Sequence, residues 1–290
     1  IDFYNFVFDY TKGSVNVTFI TDNIKQIFVE KDCATVKTEN NKYFAEYVFN
    51  STSLFSPLIN TENSLLQHFE GWVIKTKKQC FNHQLGTLMD FRLNQEFGAT
   101  FMYVLPTKPD EALIEYTLLS KAILDKEKYN IALENYIKDY LKIEEYKITH
   151  KEYGVIPMSL ASFSRNVNSE KRIINIGTAG GFTKASSGYT FQFIQKNTQA
   201  IVANLVEGIS PNPKITFREK MFRWYDRVLL EVLISKKMTA KEIFSMMFKK
   251  NSPEKILSFL GNESSFIDDL KIMNSVPKKK YFIKAGVKRL

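Results

Sequence analysis

The sequence predicts a mixed α/β fold, and three observations support this. Short segments rich in β-branched and aromatic residues recur between residues 15 and 120. A strand-like segment then runs directly into a glycine-rich turn and a helix, and beyond residue 213 the apolar residues recur at helical spacing. The chain has 290 residues, of which 44% are hydrophobic and 24% charged. These values fit one elaborate folded domain or two interleaved ones and argue against global disorder.

Residues 1–60 form the first predicted unit, which is rich in strands. Asp2–Tyr10 is consistent with the end of a helix, and Val15–Ile20 alternates apolar and polar residues as a strand does. Ala34–Ser51 has the pattern of a β-hairpin whose turn lies at Asn40-Asn41.

Residues 61–160 are predicted to form a sheet of at least four strands with one helix. The strand candidates are LLQHFEGWVIKT, TLMDFRL, ATFMYVLPT, EALIEYTLLS and YKITHKEYGVIPMSL. Asp125 is a plausible cap for the helix, because apolar residues at helical spacing follow it. The residues on that inner face are Tyr129, Ala132, Leu133, Tyr136, Ile137, Tyr140 and Leu141.

Residues 161–210 contain the strand RIINIG, the turn TAGGFTKASSGYTF and a helix. Glycines let a backbone approach an anion, and a helix N-terminus presents N–H donors and a partial positive charge, so this segment can bind phosphate or a cofactor. A plain strand–helix connection is the alternative. The chain has neither a G-x-G-x-x-G nor a Walker A motif. The inner face of the helix is predicted to carry Phe191, Ile194, Ile201, Val202 and Leu205.

Residues 211–290 are predicted to be helical and basic. Thr239 and Glu242 form a capping-box pattern, and Ser252-Pro253-Glu254 is a typical helix start. Residues 214–290 hold 18 Lys and Arg against 8 Asp and Glu, a net charge of +10, whereas the whole chain has +9. Such a region can bind an anionic membrane or nucleic acid, or it can be a solvated helical face. No nucleic-acid motif accompanies it, so we expect no nucleic-acid partner.

The cysteines and histidines exclude two classes of protein. Two isolated cysteines and three histidines do not make a disulfide scaffold or a zinc site, so no metal is expected. Because Cys33 and Cys80 are isolated and form no C-x-x-C, a reducing cytoplasm is the simplest expected location. No apolar run reaches the roughly 18–20 residues of a membrane-spanning helix.

Six segments in order, and a helix after them, resemble the lycopene cyclase family, and the pattern is most similar to the bacterial β-cyclases. The glycine-rich segment Ile176–Phe191 resembles the family's flavin-contacting segment, and Arg223–Leu233 resembles its C-terminal helix. The other matching segments are Leu65–Thr76, Leu88–Arg92, Phe101–Pro106, Ala112–Ser120 and Glu152–Met158.

The resemblance implies an FAD-dependent flavoprotein fold of the glutathione-reductase or hydroxylase type, with a mixed sheet over the substrate site. It implies cyclisation of the ψ ends of lycopene to β-ionone rings, a redox-neutral reaction that needs reduced FAD and NAD(P)H as reductant. Family members begin with a Rossmann βαβ unit that this sequence lacks, so we expect a fragment that is itself inactive. Ala185-Ser186-Ser187 also departs from the expected Pro-Ser-Thr-like stretch.

The resemblance points to Glu115 as the acid/base carboxylate, in the segment ALIEYTLLS. A carboxyl group in an apolar site has a raised pKa and can act as acid and then base. Glu152 is a second catalytic candidate, for positioning the substrate end or for proton exchange. For each of these glutamates the alternative is a solvent-facing side chain at a strand edge or turn.

The resemblance also assigns contacts to the flavin and to the substrate. The flavin contacts are expected from Gly177, Thr178, Ala179, Gly180, Gly181, Lys184, Ser187, Gly188 and Tyr189. Substrate positioning is expected from Asp90, Arg92, His68, Trp72 and Thr117, although Asp90 and Arg92 could simply pair and His68 could be structural.

Lycopene is dissolved in membranes, so a member of the family has to dock on a bilayer. Phe244, Met246, Met247 and Phe248, near Lys241, Lys249 and Lys250, are the expected interfacial surface on the inner face of the cytoplasmic membrane. The alternative is that these apolar residues pack on the core. Two other functions stay open: another FAD-dependent hydroxylase or prenyl reductase, and a non-catalytic module that binds carotenoid or membrane.

Overall fold

A computed structural model describes residues 2–167 and 171–290 of the chain. Their elements, in chain order, are α1 (Asp2–Lys12), β1 (Ile24–Glu30), β2 (Cys33–Thr38), β3 (Lys42–Ala45), β4 (Val48–Asn50), β5 (Ser64–Thr76), β6 (Thr87–Asp90), β7 (Ala99–Lys108), β8 (Glu111–Ser120), α2 (Lys126–Asp139), β9 (Tyr146–Ser159), β10 (Ile173–Asn175), α3 (Phe191–Val206), α4 (Phe217–Ile234), α5 (Ala240–Lys250), α6 (Pro253–Leu260), α7 (Phe266–Ser275) and α8 (Lys279–Lys288).

A five-stranded sheet in the order β6-β7-β8-β5-β9 occupies the centre of the fold. The expectation of at least four strands in this region is confirmed. The expected mixed pairing is wrong, because every pair in this sheet is antiparallel. The reason is local: β7 and β8 are joined by a tight turn at Pro109-Asp110, and β5 pairs along its length with β8 on one side and β9 on the other.

Helix α2 covers one face of this sheet. Tyr129, Leu133, Tyr136 and Ile137 are buried against apolar side chains of β5, β7 and β8, as the helical spacing predicted. Tyr140 at the end of the helix is 40% exposed, because it lies at the margin of the contact.

The opposite face of the sheet packs in part against the C-terminal helices α4 and α5. The predicted helix starts are confirmed: Thr239 and Glu242 form a capping box before α5, and Pro253 is the first residue of α6. The expected interfacial surface on α5 is wrong. Phe244 and Met247 are only 2% and 3% exposed, because the apolar side of α5 packs against the core of sheet and helices.

The N-terminal region contains a separate three-stranded sheet in the order β1-β2-β3. The hairpin predicted around Asn40-Asn41 is confirmed, since β2 and β3 pair across residues 39–41. The strand expected over Val15–Ile20 is not formed, because no strand in residues 2–167 and 171–290 pairs with this segment, and Val15 is 97% exposed.

Two distant segments meet in a two-stranded parallel sheet of β4 and β10. Asn50 at the end of β4 donates from Nδ2 to Asn175 Oδ1 at 2.8 Å, and both side chains are buried. This pairing ties the N-terminal region to the strand that leads into the glycine-rich turn.

Helix α3 follows that turn and is more exposed than its apolar spacing suggests. Ile201 is buried, but Phe191, Val202 and Leu205 are 57%, 52% and 41% exposed. The predicted inner face is therefore wrong for these three, because no described element covers that side, although Phe3 of α1 contacts the Phe191 ring edge-on. Over residues 2–167 and 171–290, no helix is both long and apolar enough to cross a membrane.

Candidate active site

Four residues from four neighbouring strands form a row across the sheet, on the face opposite α2. Tyr103 of β7 lies opposite Glu115 of β8, Glu115 lies opposite Gly71 of β5, and Gly71 lies opposite Glu152 of β9. Directly opposed residues in antiparallel strands project to the same side. The two glutamates predicted from sequence therefore lie on one face, separated only by a glycine.

Gly71 allows the two carboxyl groups to approach each other. A Cβ atom at this position would lie 2.9 Å from both Cγ and Oε1 of Glu152, and 3.0 Å from Cδ1 of Leu113. These distances are too short for any side chain to be added without displacing Glu152. The Glu152 carboxyl thus occupies the space above β5 that a side chain would fill, and it leans toward Glu115.

The environment of Glu115 favours its protonated form. Burial is the main cause, followed by the charge and hydrogen bonding of Glu152, and together they raise the pKa of Glu115 to about 7. The Thr117 hydroxyl acts in the opposite direction, because it donates to Glu115 Oε1 at 2.6 Å. Thr117, a predicted positioning residue, is fully buried and holds the carboxyl in one orientation.

Such a carboxyl pair can exchange a proton near neutral pH. A general acid is most effective when its pKa lies close to the operating pH, and two adjacent carboxyls do not ionise together readily. Val73 and Leu113 lie one step along the same face, so the pair borders an apolar surface. The arrangement suits protonation of an apolar substrate.

Tyr103 connects this row to the glycine-rich turn. Burial, and next the nearby Tyr189 hydroxyl and the Glu115 charge, raise the pKa of Tyr103 well above its usual value. Burial also raises the pKa of Tyr189, against the effect of the neighbouring Tyr103 hydroxyl. Tyr189 belongs to the predicted flavin-contacting segment, so that segment and the carboxyl row meet through two tyrosine hydroxyls.

Glycine is required at several positions of the turn, for a different structural reason at each. Gly177, Gly181 and Gly188 have positive φ angles of 57°, 73° and 73°, which other residues rarely adopt. At Gly180 an added Cβ would lie 2.3 Å from the Asn175 carbonyl oxygen, so this glycine packs the turn onto β10. At Gly188 it would lie 2.6 Å from Gln67 Oε1, which places the turn against the sheet face that carries the carboxyl pair.

Two features of the segment fit an anionic ring system such as a flavin. A Cβ at Gly177 would meet no atom closer than Ile194 Cδ1, at 3.9 Å, so the backbone there is open to a ligand. Thr190 at the N-cap of α3 makes no side-chain cap hydrogen bond, which leaves the first N–H groups of this helix available. A helix N-terminus stabilises a nearby negative charge.

The other predicted flavin contacts serve partly to hold the turn. Thr178 Oγ1 and Thr183 Oγ1 are 3.0 Å apart, Ala179 is buried, and the Ser187 hydroxyl accepts from the Tyr189 N–H at 3.4 Å. Lys184 is 5% exposed, and its ammonium lies 2.6 Å from both Asp226 Oδ1 and Asn262 Oδ1. Its charge is therefore neutralised within the protein.

His68 and Trp72 lie on the face toward α2, away from the carboxyl pair. His68 is fully buried between the Tyr129 hydroxyl, 2.6 Å from Nδ1, and Ser120 Oγ, 2.8 Å from Nε2. Burial lowers the pKa of His68 to about 4, so the ring is neutral. The Trp72 indole donates to Glu70 Oε1 at 3.2 Å.

Asp90 and Arg92 form an ion pair beside α2. Arg92 Nε donates to Asp90 at 2.9 Å, and the Tyr136 hydroxyl donates to Asp90 Oδ2 at 2.7 Å. Burial opposes ionisation of Asp90, but these hydrogen bonds lower its pKa overall. The geometry matches the stabilising alternative for this pair, because α2 rather than the carboxyl row is its neighbour.

Sequence reasoning missed Gly71 and Tyr103 as site residues. Gly71 lies in the middle of a long strand, and a glycine within a strand often marks a close approach. That signal was present in the FEGW segment. Tyr103 carried no comparable signal, since its role depends on the register between β7 and β8.

Comparison with known proteins gives a family and a fold. The family model described as lycopene cyclase protein matches residues 12–284. HpxO of Klebsiella pneumoniae, complexed with FAD and uric acid, has a TM-score of 0.58 at 13% identity, covering 95% of this chain and 72% of that chain. A variant of HpxO complexed with FAD has a TM-score of 0.51 at 12% identity, covering 95% of this chain and 73% of that chain. The comparison with curated proteins found no match. The mixed α/β fold, similar to that of FAD-dependent flavoproteins, is thereby confirmed.

Proposed function

This chain belongs to the lycopene cyclase family, and we propose that it takes part in cyclising the ψ ends of lycopene to β rings by acid/base catalysis. Glu115 is the acid and then the base, and Glu152 adds to the effect of burial on the pKa of Glu115 and exchanges the proton. The observation that carries this proposal is the carboxyl pair across Gly71, in which the pKa of Glu115 is raised to about 7.

The reaction needs one proton in and one proton out. Glu115 in its protonated form donates to the terminal carbon–carbon double bond, and the π electrons form the new C–H bond and leave a carbocation. A second double bond attacks that cation and closes the ring. The ionised carboxylate then removes a ring proton, which restores both the double bond and the acid. No electrons are gained or lost overall.

The residues of the turn fit reduced FAD, with NAD(P)H as its reductant. Gly177 offers open backbone, and the N-terminus of α3 offers N–H donors. Bound there, an anionic reduced flavin would supply negative charge that stabilises the carbocation. Tyr103 and Tyr189, between the turn and Glu115, orient the two sites relative to each other and keep water from the carboxyl pair.

A colour assay tests the acid/base role. Lycopene-accumulating bacteria that express the protein carrying this chain should turn from red to orange-yellow, and Glu115→Gln should leave them red because the amide cannot donate an acidic proton. Glu70→Gln, which changes a buried glutamate on the opposite face of the same sheet, is the matched control and should still give orange-yellow cells. Full colour change with Glu115→Gln would refute the assignment.

A bilayer is the proposed source of the hydrocarbon substrate, and the C-terminal helices provide the surface. An apolar groove of about 540 Å³ lies between α4, α7 and α8. Ile283 and Val287 on α8 are 67% and 70% exposed at its edge. The lysines of α8 lie near these apolar residues, and although Lys288 pairs with Glu231, the remaining positive charge complements an anionic lipid membrane. The lysines concerned are Lys279, Lys280, Lys284 and Lys288.

A further inference from the structure

A second cavity, of about 470 Å³, lies behind the glycine-rich turn. Its walls are the turn itself, the loop after β9, and facing sides of α3 and α4. Among the described residues, neither Glu115 nor Glu152 lines it. The cavity is thus a candidate site separate from the proposed acid/base pair.

Two half-buried arginines face this cavity from different elements. The Arg165 guanidinium lies 3.5 Å above the centre of the Phe182 ring, and its NH1 atom donates to Asn197 Oδ1 at 3.1 Å. Arg165 Nε is buried and has no hydrogen-bond partner among the residues that the structure describes. Arg223 of α4 lines the same cavity and is close enough to repel the Arg165 charge. Because two cationic groups lie close together at this cavity and repel each other, the arrangement calls for an anion.

The pKa values of the two arginines are lowered, as expected for two cations that lie close together in a partly buried position. Burial, and secondly the charge of Arg223, lower the pKa of Arg165 to about 9. Burial also lowers the pKa of Arg223, although Glu219 and Asp226 oppose this. Both groups remain cationic at neutral pH, but their positive charge is held in an unfavourable environment.

The nearby opposite charges are already engaged. Asp226 Oδ1 accepts from Ser186 Oγ at 2.7 Å and pairs with Lys184 at 2.6 Å. Glu219 is exposed, and its Oε2 accepts from the Thr216 N–H at 2.6 Å in the cap of α4. Arg227 adds a further positive charge at the exposed side of the cavity. Six Lys and Arg side chains line the cavity against these two carboxylates, so the net charge around it is positive.

We propose that this cavity binds an organic phosphate through Arg165 and Arg223. Two guanidinium groups match the several oxygens and the double charge of a phosphate monoester or pyrophosphate better than they match a single carboxylate. Leu160, Phe163 and Phe193 also line the cavity, so there is room beside the phosphate for an apolar or aromatic part of the ligand. A nucleotide and a phospholipid headgroup share this chemistry. The inference does not depend on the cyclase reaction.

Binding of inorganic pyrophosphate to the purified protein, measured by calorimetry and by thermal unfolding in phosphate-free buffer, tests this site. We expect pyrophosphate to bind and raise the Tm. Arg165→Gln and Arg223→Gln should each weaken binding by about tenfold or more, since each removes a charge-assisted hydrogen bond. Arg172→Gln, at an arginine outside the cavity, is the matched control and should bind like the unchanged protein.

Loss of pyrophosphate binding can be distinguished from a general loss of folding stability in these variants. Arg165→Gln relieves charge repulsion but removes the contacts with Phe182 and Asn197, so its Tm without ligand reports the structural effect alone. Loss of the pyrophosphate-dependent rise in Tm, measured against that ligand-free value, reports the loss of binding. If this variant fails to fold, Arg223→Gln on a separate helix still decides the matter. Lack of pyrophosphate binding, or equal binding by a folded Arg223→Gln, would overturn the proposal.

Competition identifies the source of the phosphate. ADP-ribose presents a nucleotide pyrophosphate, and glycerol 3-phosphate presents a lipid headgroup. Stronger competition by the first supports a nucleotide, and stronger competition by the second supports a phospholipid. If neither displaces pyrophosphate, the organic-phosphate assignment is wrong.

Discussion

At the scale of single residues, Gly71 determines whether the two glutamates can act together. Glu115 and Glu152 lie on strands that are not neighbours, and β5 runs between them. Any side chain at position 71 would stand between the carboxyl groups. The site therefore requires glycine at position 71 as well as the two glutamates.

Gly71→Ala should reduce cyclisation while leaving the protein folded. The added Cβ would displace the Glu152 carboxyl, so the pKa of Glu115 should fall toward its ordinary value. Cell colour in the lycopene assay and the pH dependence of the rate measure the effect. Gly13→Ala is the control, because a Cβ there would meet no atom within 4 Å. Unchanged activity with Gly71→Ala would contradict the paired role.

Glu115 should also be detectable in the pH dependence of stability. Its folded pKa of about 7 lies above the unfolded value of 4.5, so the folded state binds more protons in this interval. The contribution of Glu115 to stability is therefore fully present below about pH 4.5 and is lost as the pH rises to about 7.

Removing the ionisable group should reverse that loss. Glu115→Gln should raise the free energy of unfolding at pH 8 by about 1–3 kcal/mol, and the gain should shrink toward pH 5. Denaturant unfolding at the two pH values measures it. A gain that is equal at both pH values would show that the pKa is not raised.

At the scale of elements, the starts of α5 and α6 and the buried face of α2 were readable from sequence, whereas the exposed side of α3 and the buried side of α5 were not. Thr216 and Thr239 each form a full capping box with the glutamate three residues later. These hydrogen bonds join neighbours in the chain, so no tertiary information is needed to predict them. The covering of α3 and α5 depends instead on which other element lies beside each helix.

A helix cap whose side chain makes a hydrogen bond should contribute more to the free energy of unfolding than one whose side chain makes none. Thr216→Ala and Thr239→Ala should each lower the free energy of unfolding by about 1 kcal/mol. Ser252→Ala is the internal comparison and should cost less, because the Ser252 side chain makes no cap hydrogen bond. Urea titration of the three variants measures the difference, and equal losses would contradict the described caps.

At the scale of the whole molecule, the positive charge and the exposed apolar surface coincide on α8. The charge excess of the C-terminal region was evident from sequence, but the expected apolar partner residues on α5 are buried. Ile283 and Val287 of α8 are exposed at the edge of the groove and lie among these basic residues. Docking through α8 rather than α5 is the form of the membrane proposal that the fold supports.

Flotation with lipid vesicles tests this surface. The protein should float with vesicles containing phosphatidylglycerol and much less with phosphatidylcholine alone or at high salt, because each basic residue near an anionic surface contributes about 1 kcal/mol. Ile283→Glu and Val287→Glu should abolish flotation. Leu58→Glu, at a residue that is 84% exposed outside the groove, is the control. Flotation of the α8 variants would refute docking through this helix.

The sequence by itself determined the order of most elements, the capped helix starts, and the family to which the chain belongs. Hydrophobic periodicity, turn residues and caps are local, and they act over a few residues of chain. Tertiary structure decided the rest. Gly71, Glu115 and Glu152 become one site only through the register of three strands, and His68 and Trp72 are excluded because successive residues of a strand face opposite sides. Burial of α5, exposure of α3 and the meeting of Arg165 with Arg223 likewise depend on which elements pack together, and single-chain periodicity does not encode that choice.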